Sequence, residues 1–360
     1  MSITVDGGIG EGGGSIVRLC FGLAVLTRRQ IHIQNIRKNR DNPGLRAQHL
    51  AGLESIYDLF GGDLFGAEIG STSVRYSPLL PPDNPKADNL TVPIDTAGAI
   101  GLVIQALRLS LGGTTRPIRV AFQGGATFGL WAPSIDYITN VTEPALSLFG
   151  YSSKVEVLRH GFYPKGGAKV NMTIFPRERS EGLPKERELT GFRKILAIKG
   201  ISIASKHLES AKVADRQAKA AERVLKGVFG SCDINIESRY VDAVCPGSGI
   251  TLWTENEATS HGGCLPLGQS VVGERGISSE KIGQQAAHGL VGDYNHQVTV
   301  DPYLSDQLVP YMALNPPFEF STSDITPHTK TNISIAEQFL PVRFVVDSQR
   351  ENKIIRAIRG

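Results

Sequence analysis

The chain has 360 residues, 41% hydrophobic and 20% charged, with a formal net charge of +3. That describes a globular protein of two or three domain-sized units and excludes a disordered or collagen-like chain. A charge this near balance does not by itself mark a nucleic-acid binder, and no apolar run reaches the ~18 residues of a membrane span.

The chain opens on a strand-like Ile3-Thr4-Val5, so no signal peptide is expected. Four cysteines, Cys20, Cys232, Cys245 and Cys264, are widely spaced with no C-x-x-C, which argues against a metal knuckle or redox pair. Cys20 falls in an apolar helical run and reads as a buried thiol. The expectation is a soluble intracellular protein, in the cytoplasm or, in a eukaryotic host, the nucleus.

In chain order the pattern repeats. Thr4-Val5-Asp6 leads through a Gly-rich turn to an apolar-periodic helix from Ile16 to Leu26. A strand (Ile31 to Ile36), a helix (Leu45 to Phe60) and two strands (Asp63 to Glu68, Ser73 to Tyr76) follow. Thr91 to Asp95 opens a second unit. It continues as a helix (Ile100 to Leu111), a strand (Ile118 to Gln123), a helix (Ser134 to Phe149) and strands near Ser153 to Leu158 and Ala168 to Ile174. Thr299-Val300-Asp301 opens a third, with a helix (Leu304 to Leu314), a strand (Phe318 to Thr322), a helix (Ile333 to Phe339) and strands Val342 to Val346 and Lys353 to Ile358. Three strand–helix–strand–helix–strand–strand units make an α/β (α+β) repeat architecture, each unit laying two helices on one face of a small sheet.

The units open at Thr4, Thr91 and Thr299, so the second interval carries an insertion of roughly a hundred residues. The charged stretch Pro176 to Glu188 reads as its entry. The N-cap signal Ser278-Ser279-Glu280 reads as its exit. The expected division is a large domain of residues 1–184 and 278–360 and a small α+β domain of 185–277.

Candidate site residues follow from local chemistry. Gly10-Glu11-Gly12-Gly13-Gly14 opens the first helix, where bare backbone and a helix N-terminus suit phosphate. Gly8, Gly10 and Gly13 match G-x-G-x-x-G, but the second strand ends in Arg37 rather than a ribose-binding carboxylate, which rejects a dinucleotide site. Absence of Gly-Lys-Ser/Thr rejects a P-loop. Glu11 beside phosphates calls for a bridging cation such as Mg²⁺; the plain alternative is a solvated turn. Arg37, Lys38, Arg40 and Arg46 cluster near a helix start, with Gln48 and His49 beyond, and suit an anion as well as a solvated loop. Pro133 and Tyr137 lie one helical turn apart and could wall a flat ring or simply be core.

Arg159-His160-Gly161-Phe162-Tyr163-Pro164-Lys165-Gly166-Gly167 mixes cations, aromatics and turn glycines, as a nucleic-acid end or a plain hairpin would. Asp306 is either a metal ligand or a carboxylate balancing a helix dipole. His328 sits where a strand hands over to a helix, a place suited to an exposed reactive side chain.

Together these stretches resemble the RNA 3′-terminal phosphate cyclase family. The shared motifs are Asp6-Gly7 with Gly10 to Gly14, Arg40 with Pro43-Gly44-Leu45 and Gln48-His49, Arg159 to Pro164 with Gly166-Gly167, Tyr303 to Gln307, and His328 with Thr331-Asn332-Ile333. They span nearly the whole chain in order. The resemblance implies three repeats with an inserted small domain, in agreement with the repeat reading. It implies an ATP-dependent enzyme that closes an RNA 3′-terminal phosphate into a 2′,3′-cyclic phosphodiester. His328 would be the nucleophile that takes AMP before it passes to the RNA. Gln105, Pro133, Tyr137, Tyr303, Leu304, Ser305, Asp306 and Gln307 would hold ATP. Glu11 and Asp306 would hold Mg²⁺ or Mn²⁺. Arg18, Arg37, Arg40, Gln48, His49 and Arg159 are the candidates for phosphate and RNA contacts. The implied partner is RNA with a 3′-terminal phosphate, without a membrane, and an oligomer is compatible with the sequence.

Two other classes share features. One branch of the family is a ribosome-assembly factor that lacks the histidine and the Glu-bearing loop, both of which this chain keeps. Enolpyruvyl-type transferases use similar repeats but would not need His328.

Overall fold

Strand β1 (Ser2–Asp6), helix α1 (Ser15–Thr27), β2 (Gln30–Gln34), α2 (Ala47–Phe60), β3 (Gly62–Phe65) and β4 (Val74–Pro78) form the first unit. The protein is seen as a computed structural model that describes residues 2–10, 12–178, 188–192, 194–257, 265–348 and 351–360. The first sheet runs β1-β2-β4-β3, parallel between β1 and β2 and antiparallel elsewhere. The second unit repeats this with β5 (Asn89–Ala99), α3 (Ile100–Ser110), β6 (Ile118–Ala126), β7 (Ser153–Arg159) and β8 (Lys169–Ile174), in the order β5-β6-β8-β7. The expected helix from Ser134 is there as α4 (Ile135–Tyr137) and α5 (Glu143–Ser147), joined by a π-helical segment, Ile138–Thr142.

Next comes β9 (Glu188–Leu189), then the inserted elements: β10 (Ile195–Ser205), α6 (Val213–Val228), β11 (Asp233–Val241), β12 (Ser248–Asn256), β13 (Gly268–Val272) and α7 (Ser279–Asn295). Their sheet runs β11-β10-β12-β13. The third unit follows with α8 (Pro302–Leu314), β14 (Phe318–Thr322), α9 (Pro327–Phe339), β15 (Val342–Asp347) and β16 (Lys353–Arg359).

The third sheet explains where the insertion lies. Its order, β15-β16-β14-β9, puts β9 where β1 and β5 stand in the other two. β9 pairs parallel with Glu319 and Phe320 of β14, and Val300 continues along the same edge by bridging Thr322. The Thr299 hydroxyl donates to the Leu189 carbonyl at 2.5 Å. The opening strand of the third unit is therefore supplied in two pieces, Glu188–Leu189 and Thr299-Val300, with the insertion threaded between them. Thr299 to Asp301 does not form the full strand expected.

The expected exit at residue 278 is corrected by the same observation. Ser278 does cap α7, accepting from the Lys281 amide at 3.2 Å. However, α7 packs on α6 rather than on the repeats. Ile282, Ala286, Ala287 and Leu290 share one core with Ile198, Leu225, Ile250 and Leu252 of the inserted unit. A cap signal marks a helix start and says nothing of which sheet the helix covers. Of the expected entry stretch, residues 179–187 lie outside the described residues.

The repeats share one apolar core, and a third cluster, Phe128, Phe162, Ile201, Ile203 and Cys245, seals the second unit against the insertion. Asp301 ties three parts together. Fully buried, its carboxylate accepts from the Tyr303 and Leu304 amides of α8, the Gly268 amide of β13 and the Tyr137 hydroxyl of the second unit. Burial, then the neighbouring Asp293 carboxylate, pushes its pKa up. The four donors keep this buried group satisfied. Cys20 is buried as expected, and burial pushes its thiol pKa up; Cys264 lies outside the described residues. Among the described residues no helix is long and apolar enough to cross a membrane.

Close backbone approach between α6 and α7 tests the assignment of α7. A Cβ on Gly283 would run into the Gln217 carbonyl. Gly283→Val should cost about 1–3 kcal/mol through overpacking. Hydrogen exchange should accelerate in α6 and α7 while α1 and α3 keep their protection; equal loss in all four would contradict the assignment.

Candidate active site

The first helices of all three repeats point one wall each into a common cleft of about 400 Å³, within the size range of small-molecule sites. From α1 come Ser15 and Arg18; from α3, Leu102 and Gln105; from α8, Tyr303, Asp306, Gln307 and Pro310. Helix α9 adds His328 and Asn332. The loop before α4 adds residues 129–133, and the insertion adds Ser270 and Glu274.

His328 owes its place to a helix start earlier than expected. The Thr326 hydroxyl accepts from the Thr329 amide at 3.0 Å and Pro327 occupies the first helical position, so α9 opens at Pro327 rather than Ile333. Thr at the N-cap followed by Pro is a favoured helix start. His328 consequently stands on the first turn, half-buried, with Nδ1 3.3 Å from the Ser15 hydroxyl. The glycine-rich loop abuts the same turn: a side chain on Gly10 would strike the Thr331 hydroxyl. Asp6 pins that loop, accepting from the Gly8 amide at 2.9 Å and from Asn35 at 3.1 Å, and these bonds hold its carboxyl below the usual range. Glu11 itself lies outside the described residues.

Helix periodicity divides the Tyr303 to Gln307 segment. Tyr303, Asp306 and Gln307 share the cleft face, as residues three and four apart on a helix do. Leu304 and Ser305 face the other way and do not line the cleft. Both are fully buried; Leu304 is core, and the Ser305 hydroxyl bonds Thr329 of α9 at 3.0 Å. Pro133 and Tyr137 both reach the cleft, but the Tyr137 hydroxyl is committed to Asp301 at 2.8 and 2.9 Å. Tyr137 is a fixed wall rather than a free ring.

Of the phosphate candidates only Arg18 lines the cleft. Arg37 is half-buried and its guanidinium pKa is lowered, first by burial and then by repulsion from Arg46 and Arg40, as in a cation cluster that an anion would relieve. Gln48 and His49 do not line the cleft, and both are engaged within the fold. Gln48 accepts from the Ala99 amide at 3.2 Å and so braces the start of α3. His49 is 4% exposed, and its Nδ1 accepts from the Arg46 amide at 3.0 Å, closing a capping box on α2. Burial, then Arg18, Arg37 and Arg46, pushes its pKa down to about 3, so it is neutral. Arg159 is turned back on its own hairpin, donating to the Gly167 carbonyl at 2.7 Å, and does not line the cleft.

The sequence reading missed several cleft residues. Ser15 follows the last loop glycine, and nothing in the sequence pairs it with a residue in α9. Arg108 is almost wholly buried, its charge met by Glu143. Trp131 is exposed at the mouth. Asn332 donates to the Asp306 carbonyl at 2.9 Å, while its own side-chain oxygen is buried without a hydrogen-bond partner. Among the described residues no group of three His, Cys, Asp or Glu could hold a metal on its own.

Comparison with known proteins gives a consistent result. The family model described as RNA 3′-terminal phosphate cyclase matches residues 9–346. Curated relatives carrying that name include one from Methanothermobacter thermautotrophicus, 37% identical with 97% of each chain covered. Another, from Methanococcoides burtonii, is 37% identical over 97% of this chain and 98% of its own. A third, from Pyrococcus abyssi, is 36% identical over 96% of each.

The buried histidine gives a pH test. Because the folded pKa of His49 lies below the ordinary 6.5, the unfolded chain takes up the proton first. The stability that a neutral His49 contributes is therefore full above pH 6.5, falls as pH drops toward about 3, and levels below that. Gln also serves at this capping-box position. His49→Gln should thus flatten the acid side of the stability–pH curve by up to about one proton between those limits. An unchanged slope would contradict a neutral His49.

Proposed function

The chain belongs to the RNA 3′-terminal phosphate cyclase family, and from that membership we propose that it consumes ATP to close an RNA 3′-terminal phosphate into a 2′,3′-cyclic phosphodiester. His328 is the nucleophile. The observation that carries this reading is its position: a half-buried imidazole on a helix's first turn, inside a nucleotide-sized cleft shared with Tyr303, Asp306, Gln307, Gln105 and Arg18. A helix N-terminus and a guanidinium both favour the phosphates of a bound nucleotide.

In the tautomer in which Nδ1–H donates to the Ser15 hydroxyl, the Nε2 lone pair is the one that attacks. Nε2 forms a bond to the α-phosphorus of ATP, and the bond to the bridging oxygen breaks, releasing pyrophosphate. An oxygen of the RNA 3′-phosphate then attacks the same phosphorus and frees the histidine. The RNA end now carries an anhydride with AMP as leaving group. The neighbouring 2′-hydroxyl attacks the 3′-phosphorus, loses its proton, and AMP departs as the ring closes; both partners lie on one ribose, which makes the step intramolecular.

Tyr303, Pro133 and Tyr137 bound the space for the adenine, with Gln105 and Gln307 as polar contacts. Arg18 faces phosphate, and Arg37, Arg40 and Arg46 extend the positive surface. The donor set fits a divalent cation held chiefly by substrate phosphates, as Mg²⁺ is with one or two protein carboxylates. Asp306 and the unpartnered Asn332 oxygen are the described donors, with Glu11 the second carboxylate. Such an ion, Mg²⁺ or Mn²⁺, would neutralise charge on the departing pyrophosphate.

Incubation with α-labelled ATP and metal should leave acid-labile AMP on the unaltered protein and none on His328→Ala; label persisting in the variant would place the nucleophile elsewhere. Ser15→Ala should slow adenylylation roughly tenfold, the value of one neutral hydrogen bond. RNA ending in a 3′-phosphate on a 2′-deoxyribose should stop at the adenylated end, and a cyclic product from it would contradict the last step.

A further inference from the structure

The loop before α4 puts an aromatic side chain at the cleft that the chemistry above does not use. Trp131 is 93% exposed, yet lines the same cleft as His328. A bare indole is costly to leave in water, and its backbone is in the left-handed region, φ 55°, which a bulky residue occupies only when its surroundings hold it there.

The surroundings do hold it. Upstream, the Thr127 amide donates to the Gly161 carbonyl at 2.9 Å, and Phe128 is buried, stacked on Phe162 with centroids 6.2 Å apart. The Gly129 backbone lies tight against Ala99. Downstream, the Pro133 carbonyl presses on Gly101, leaving no room for a side chain there, and Ser134 is fixed by Thr251 at 2.9 Å. The Ile135 amide closes the loop by donating to the Thr127 carbonyl at 3.1 Å. Both ends of a short loop are anchored in the core, and the residue between them is turned outward.

We infer that Trp131 is the stacking platform for a base of the RNA's 3′-terminal segment, outside the ATP subsite. The inner walls, Tyr303, Pro133 and Tyr137, are the ones the ATP reading uses. Trp131 stands at the rim with a free π-face, and Arg18 in the same cleft leads on to the cluster of Arg37, Arg40 and Arg46. A fixed aromatic beside a cationic path is the arrangement that grips single-stranded nucleic acid with little regard to sequence. This inference rests on the cyclase reading for the identity of the ligand.

The test uses the full chain. Trp131→Ala should raise the KM for 3′-phosphorylated oligoribonucleotides roughly five- to hundred-fold, the range for losing one base–aromatic stack. Trp131→Phe should restore most of it. The KM for ATP in AMP loading onto the protein should stay unchanged in both. The chain has 2 tryptophans, so in a Trp253→Phe background the remaining emission is that of Trp131. It should be quenched by the oligonucleotide without ATP and should not respond to ATP alone. A rise in the KM for ATP with none for RNA would overturn the assignment, as would no change in either or a quench by ATP only. Failure of the unaltered protein to form cyclic product would sink the cyclase reading instead, and the fluorescence arm would still report whether RNA meets Trp131.

Discussion

The structure depends on the first helices of all three repeats lining one cleft. Each repeat begins with a strand that hands over to a helix, and those helices line the cleft: α1 and α8 from their first turns onward, and α3 along one face from Leu102 to Leu109. Ser15, Gln105 and Tyr303 come from sequence-distant helices yet line one cavity. Helix starts carry partial positive charge and unpaired amides, so the first turns of α1, α8 and α9 in the cleft wall favour an anion there. The chemistry added to that site is unequal between repeats. The first contributes Arg18, the second Gln105, and only the third contributes Asp306 and, from its second helix, His328.

Seating that histidine takes several small interactions of known kind. Thr326 caps α9, Pro327 presets its first turn, and the Ser305–Thr329 hydroxyl contact fixes α8 against α9. The turn is then close-packed on the glycine-rich loop at Gly10 and Thr331. No one of these is strong, since a cap or a neutral hydrogen bond is worth about 1 kcal/mol. Together they remove the freedom of the imidazole along several independent directions, which is what a nucleophile that must meet one phosphorus requires.

The insertion belongs to the site as well as to the outline of the molecule. It interrupts the first strand of the third sheet, so its two ends leave from one strand edge, at Leu189 and Thr299. That tether brings β13 beside the cleft, where Ser270 and Glu274 complete a wall. Asp301, immediately after the rejoined strand, accepts from the insertion, from the second repeat and from its own helix. A buried carboxylate with donors from three units is satisfied only when all three are in register, and so it locks the wall to the walls contributed by the repeats.

Much of this was legible in the chain itself. The alternation of periods marked all three repeats and the inserted α+β unit, because apolar spacing is set by which face of a helix or strand must be buried. Local chemistry marked His328 and Asp306, and the family resemblance marked Tyr303, Gln307, Gln105 and Arg18; all of these stand in the cleft. Facing was not legible in the chain. Leu304 and Ser305 lie in the same short motif as Tyr303 and Asp306 but turn into the core, since a helix divides neighbours between opposite faces. His49 stands among the phosphate and RNA candidates, but burial keeps it neutral and its nitrogen serves as a cap. Helix α7 begins where its cap signal says, yet covers the inserted sheet, because a cap fixes a start and not a partner. The sequence alone determined the element order and the residue types able to carry the chemistry, both of which are local properties. Which of those residues meet, which are spent inside the fold, and the pairing of His328 with Ser15 were decided by packing between segments far apart in the chain, where burial and hydrogen-bond satisfaction are settled only in three dimensions.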